Sequence, residues 1–165
     1  MSLKIEKILV ARDMSKESSR VIRYALELGC KFHAQVHVLH VMPTVDPSVL
    51  NRVALTMGAD KLAELNAQNE AELAEKTKAQ LHKIIQEETE LIECEVVHPP
   101  EVEVHHGDPV SMILSVADRL DVDMIVLGSH SKGRLAYAFL GSVAEKILHK
   151  SHRTIVVVPP QVKNN

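Results

Sequence analysis

Short runs of aliphatic and β-branched residues alternate along this chain with segments of helical period, and that rhythm restricts the fold more than any single motif. Lys4 to Ala11 (KIEKILVA) ends in a continuous apolar run, and Asp13-Met14-Ser15 then supplies capping residues before a 3.6-residue pattern. Val21, Ala25 and Leu28, with Ile22 and Leu26 beside them, give that helix one apolar face, which dissolves between Gly29 and His33. Gln35 to Met42 (QVHVLHVM) alternates as a strand does and stops at Pro43, which has no N–H for a ladder. Pro43 to Met57 reads as an irregular stretch containing Asp46-Pro47-Ser48. Gly58 to about Glu90 reads as one long surface helix, with Leu62, Leu65, Leu73, Leu81, Ile84 and Ile85 close to one stripe and a charged outer face.

The rhythm then repeats. Glu101 to His106 (EVEVHH) is a strand with one wetter face, and Gly107-Asp108-Pro109 opens a helix with an N-cap residue followed by proline at its first position. Ile113, Val116, Ala117 and Leu120 form that helix's apolar face. Asp123 to Leu127 is a fourth strand, Gly128 to Leu140 a loop with some helical character, Ser142 to Lys150 a helix, and Thr154 to Val158 (TIVVV) a last strand ended by Pro159-Pro160. Strands alternating with helices imply right-handed crossovers and a parallel sheet covered on both faces. The expected architecture is therefore α/β, a five-stranded parallel sheet in a single domain over residues 1–160, with a disordered tail over 161–165.

Composition removes several classes of function. A chain of 165 residues that is 45% hydrophobic can build one core. With 2% aromatic residues and no Trp it lacks stacking platforms for bases, and a net charge of −3 with a pI near 6.4 gives no footprint for a polyanion, so nucleic acid is not an expected partner. No apolar run is long enough to span a bilayer and the first residues mix Leu3 and Ile5 with Lys4, Glu6 and Lys7, so no membrane contact and a cytoplasmic location are expected. Cys30 and Cys94 have no CxxC spacing and read as two free thiols. The ten His residues read as scattered structural groups, His37 and His40 facing opposite sides of their strand.

The chemistry concentrates in Gly128-Ser129-His130-Ser131-Lys132-Gly133-Arg134 and, after Leu140, in Gly141-Ser142-Val143-Ala144-Glu145. Glycines after a parallel strand let backbone N–H groups approach a phosphate, and the next helix N-terminus adds unpaired donors. The competing reading is structural: Ser142 followed by Glu145 has capping-box spacing, and Gly128 and Gly133 serve as turn residues. Asp13 likewise reads either as a helix cap or as a ligand group, and His130 either as a phosphate contact or as a solvated loop residue.

The run GSHSKGRLAYAFLGSVAEKIL, together with ILVARDMS, VHVLHVMP, HHGDP and TIVVVP, resembles the universal stress protein family over essentially the whole chain. The resemblance implies a doubly wound, adenine-nucleotide alpha-hydrolase-like sheet of strand order 3-2-1-4-5. It also implies binding of ATP, with or without Mg2+, as a regulatory stress-response protein. By the same resemblance the ribose and adenine meet Asp13 and the backbone of Ala11 and Val41, and the phosphates meet Gly128, Ser131, Gly141 and Ser142, with Val143 and His130 as further candidates beside them. Two departures stand out. Ser131 occupies the place of the second loop glycine of ATP-binding members, and Arg12 is bulkier and more basic than the small residues often found beside the Asp. A second class in the family lacks the glycine motif and acts without ATP, which leaves protein–protein interaction as an alternative function.

On that strand order the loops at residues 11–15 and 128–142 flank a topological switch point, where ligands of open α/β sheets bind. No GxxxxGK[ST], GxSxG or GxGxxG pattern is present, so no dedicated enzyme is expected, and slow ATP hydrolysis is the second reading. A receiver domain is a weaker third, since Asp13 has no acidic neighbour. The apolar run Thr154 to Val158, expected at a sheet edge, calls for a partner, and a homodimer through that strand is expected; a monomer whose last strand is covered by another segment is the alternative.

Overall fold

A computed structural model describes residues 4–13, 18–129 and 140–161. Ten elements follow in order: β1 (Lys7–Arg12), α1 (Ser18–Phe32), β2 (Gln35–Met42), α2 (Pro47–Met57), α3 (Ala59–Thr89), β3 (Glu101–His106), α4 (Pro109–Leu120), β4 (Met124–Gly128), α5 (Ser142–Lys150) and β5 (Thr154–Val158). All pairings in the sheet are parallel and the strand order is 3-2-1-4-5, as the resemblance implied.

The alternation of strand side chains divides the core in two. Ile8, Val10, Val36, Val38 and Val126 pack beneath α1 and the C-terminal half of α3 through Ile22, Leu26, Leu81 and Ile85. Leu9, Leu39, Ile125 and Leu127 pack on the opposite face beneath α4 and α5 through Ile113, Val116, Ala144 and Ile147. Ile8, Leu9, Val10, Ile125 and Val126 are fully buried, which is why the central strands read as unbroken apolar runs.

Three expectations are corrected. The stretch before Gly58 is not irregular: α2 begins at Pro47, and Asp46 caps it by accepting from Ser48 N at 2.7 Å. The apolar stripe of the long helix is covered only in part, because Leu81 and Ile85 are buried while Leu65 and Leu73 are exposed. The 31 residues of α3 extend about 46 Å by helical rise, against about 26 Å for the eight residues of β2, so the helix overhangs the sheet and meets α2 beyond it. Finally, Cys30 and Cys94 are not free thiols. They form a disulfide with Cα atoms 6.2 Å apart, tying the end of α1 to the segment that follows α3.

Candidate functional site

The carboxyl ends of β1 and β4 diverge toward opposite faces, because the chain leaves β1 for α1 and leaves β4 for α5. The gap between them opens into a cleft of about 1000 Å³. Ala11, Asp13, Val41, Gly128, Gly141, Ser142 and Val143 all line it, so seven of the nine residues singled out from the sequence converge at one place. His130 and Ser131 lie outside the described residues, as do Lys132, Gly133 and Arg134.

Local hydrogen bonds explain how the cleft keeps its shape. Ser129 N donates to Val158 O at 2.9 Å, prolonging the β4–β5 pairing by one residue, and Gly141 N donates to Ser129 O at 2.7 Å. The two ends of the loop over 129–141 are thereby clamped together at the mouth of β4. Gly141 is the N-cap of α5 and has no side chain with which to cap it, while Ser142 is the first helical residue. The capping-box reading of Ser142 and Glu145 is thus not realised, and the N-cap residue supplies no side-chain acceptor to the first N–H groups of α5, where the helix carries partial positive charge. The contrast with α4 is direct, since there Asp108 Oδ2 accepts from Ser111 N at 2.8 Å.

Across the cleft, β1 ends in Arg12 and Asp13. The Asp13 carbonyl accepts from Ser18 Oγ at 2.8 Å and from Arg12 Nε at 2.6 Å. Arg12 is 8% exposed, and its Nη1 has no hydrogen-bond partner. Burial pulls its guanidinium below its ordinary value, with Asp13 opposing that shift; a guanidinium nonetheless stays protonated in water-accessible proteins. His40, also buried, donates from Nδ1 to Arg12 O at 3.0 Å, and burial lowers its pKa from 6.5, so the ring is neutral at pH 7. Arg12 as a cleft residue was not among the expected contacts; the only signal in the sequence was a strong base at the end of an otherwise apolar strand.

The remaining wall comes from residues the sequence reading passed over. Ile113 and Pro109 of α4 face Leu39 and Leu127 to make an apolar floor, and Ser18, Ser19, Arg20 and Arg23 of α1 make a polar wall. Arg20 reaches Pro159 O, and Arg23 is paired with Glu88 at 2.6 Å. An apolar floor of planar size, a carboxylate on one side and an uncapped helix N-terminus on the other suit a ligand with a flat apolar ring, hydroxyl groups and an anionic tail.

Comparison with known proteins establishes the family. The family model described as universal stress protein family matches residues 4–159, nearly the whole chain. The chain belongs to the universal stress protein family. Among curated relatives, universal stress protein Sll1388 of Synechocystis is 27% identical over 158 residues, covering 92% of this chain and 96% of that one. The solved structure of MJ0577, a protein of Methanocaldococcus jannaschii, superposes with a TM-score of 0.74 at 24% identity, covering 98% of this chain and 100% of that one. The universal stress protein of Archaeoglobus fulgidus, solved in complex with dAMP, superposes with a TM-score of 0.56 at 22% identity over 94% of this chain and 98% of that one. These likenesses fix the fold, and the family match fixes the membership.

Proposed function

We propose that this universal stress protein binds an adenine nucleotide, ATP or a shorter 5′-phosphate, in the cleft between β1 and β4 and acts as a regulatory homodimer without dedicated turnover. The observation that carries the reading is the facing pair of Asp13 and the uncapped N-terminus of α5 across one cleft. The adenine lies over Leu39 and Ile113, with hydrogen bonds from the backbone of Ala11 and Val41. Asp13 accepts from the ribose hydroxyls, a task its oxygens perform as acceptors. The phosphates meet backbone N–H groups at Gly128, Gly141, Ser142 and Val143, with His130 and Ser131 on the same loop and Mg2+ accompanying ATP. The A. fulgidus complex with dAMP supports the ligand class, being of the same fold.

Calorimetry tests the reading. Titration of 5′-AMP and of ATP is expected to give one site per chain with a dissociation constant below a millimolar, lost in Asp13→Ala; absence of binding by both nucleotides at several millimolar would overturn it. The dimer is proposed through β5, an edge strand whose Ile155, Val156 and Val157 are only half-buried and whose outer hydrogen-bonding groups have no neighbouring strand among the described residues. Two copies paired antiparallel about a two-fold axis satisfy those groups. Sedimentation equilibrium at micromolar concentration is expected to give twice the chain mass, reduced to one by Val157→Lys; a monomer in the unmodified protein refutes the seam.

A further inference from the structure

The adenine-nucleotide reading leaves the buried Arg12 side chain unexplained. It is nine-tenths buried at the carboxyl end of β1, it lines the cleft, and no carboxylate among the described residues lies within ion-pair distance of its guanidinium. Its Nε is spent on the Asp13 carbonyl, whereas Nη1 donates to nothing. A buried guanidinium nitrogen without an acceptor is costly to keep. A chain keeps such a cost where an incoming anion restores the missing hydrogen bonds, and guanidinium is suited to phosphate because its planar fork can donate twice.

The position of that fork indicates where on a nucleotide the anion sits. The uncapped end of α5 takes the 5′ phosphates, on the β4 side. Arg12 stands on the other side, next to the Asp13 that takes the ribose hydroxyls, and its Nε bond to the Asp13 carbonyl holds the guanidinium beside that residue. A carboxylate alone repels a phosphorylated ribose; dinucleotide-binding folds resolve the same conflict with an arginine when the ribose carries a 2′-phosphate. Among the described residues, the other arginines of this wall have tasks already: Arg20 binds the Pro159 carbonyl and Arg23 pairs with Glu88. His40, on the Arg12 carbonyl, is neutral and adds no charge.

We infer that Arg12 is a specificity residue for a second phosphate, and that the cleft prefers an adenine nucleotide bearing a phosphate monoester on the ribose 2′ or 3′ oxygen as well as at 5′. This inference rests on the adenine-nucleotide reading above and extends it to a bisphosphorylated ligand.

The test compares 5′-AMP with adenosine 3′,5′-bisphosphate and adenosine 2′,5′-bisphosphate by calorimetry at one pH and ionic strength, in the unmodified protein and in Arg12→Met and Arg12→Lys. One of the two bisphosphates is expected to bind at least tenfold more tightly than 5′-AMP. That ratio should fall to one or below in Arg12→Met, where Asp13 is left to repel the added phosphate, and recover in part in Arg12→Lys. Bisphosphates binding no more tightly than 5′-AMP, or a preference that survives Arg12→Met, would overturn the inference while leaving the adenine-nucleotide reading intact. Failure of all three nucleotides to bind the unmodified protein would overturn both. If Arg12→Met does not fold, as its melting curve will report, the ratio in the unmodified protein and its reduction in Arg12→Lys decide the matter.

Discussion

The two ends of the parallel sheet are built from the same residue types and use them in opposite ways. At the amino ends of the strands the polar groups close on one another. Asp123 Oδ2 accepts from Glu6 N at 2.7 Å and Lys7 N at 3.0 Å, and Asp123 N donates to Lys7 O at 2.9 Å. Lys7 Nζ donates to Leu120 O at 2.9 Å, and Arg153 reaches Asp118, Asp121 and the Val122 carbonyl. At the carboxyl ends an arginine keeps a bare Nη1 and a helix begins without a side-chain cap. At the amino ends Asp and Arg satisfy each other and staple the protein, whereas at the carboxyl ends the buried Arg12 Nη1 has no hydrogen-bond partner beside the cleft. Substitutions at the first end should therefore move stability and spare binding, and those at the second should do the reverse.

The largest expected effect is at the closed end. The disulfide between Cys30 and Cys94 spans a sequence separation of 64 and joins α1 to the approach to β3. By loop-closure entropy, Cys94→Ser should lower the unfolding free energy by about 4 kcal/mol, read from urea denaturation, without changing nucleotide affinity. A matching loss of affinity would mean that the two ends are coupled. Next comes Gly141→Val at the open end. Gly141 has φ −63°, which any residue adopts, so this substitution tests close approach and not backbone strain. Nucleotide binding should fall at least a hundredfold, about 2.7 kcal/mol, with the melting curve unchanged.

Asp123→Ala should cost about 2 kcal/mol of stability by stripping two amides of a charged acceptor, again with binding retained. The smallest effect concerns His37, which departs from the pattern of its end: its Nδ1 is 3.2 Å from Glu101 Oε2 but out of hydrogen-bond alignment, and neither ring nitrogen has a partner. Burial lowers its pKa below 6.5, against the pull of Glu101 and Glu103 and helped by Lys7 and Arg119; burial lowers that of His40 too. The folded state thus holds both rings neutral while the unfolded chain takes up protons near pH 6.5. Their contribution is fully present above pH 6.5 and declines as pH falls below it toward the folded values. Denaturation midpoints at pH 7.5 and 5.5 should show that decline, and His37→Gln should flatten it; an equal slope in the variant would remove His37 from the account.

Much of this was legible in the sequence, and the misses have physical causes. The bounds of β2, β3 and β5 are those expected from alternation and proline stops, and β1 and β4 differ from expectation only at their ends. The helix α2 was missed although Asp46-Pro47 carries the same cap-and-proline signal that was used at Asp108-Pro109; the stretch lacks a core-facing stripe, and α2 has no buried residue. Spacing to Glu145 suggests Ser142 as the cap, but the cap is Gly141, one residue earlier, a difference that spacing alone does not resolve. The disulfide and the burial of Arg12 are facts of tertiary contact between segments far apart in sequence, so local pattern carried no trace of either pairing or cover. Of the seven singled-out residues that line the cleft, Gly128, Gly141, Ser142 and Asp13 are marked locally as glycines after a strand, a helix start and a capping type, whereas Ala11 and Val41 came only from the family resemblance.

The difference between the two ends can be read in one titration. In a uniformly 15N-labelled protein, addition of 5′-AMP should shift the amide resonances of Asp13, Val41, Gly128, Gly141 and Ser142 and leave those of Glu6, Lys7, Asp123 and Arg153 in place. Shifts centred on Asp123 and Arg153, or no shifts at several millimolar nucleotide, would contradict the assignment of the carboxyl end of the sheet as the nucleotide site.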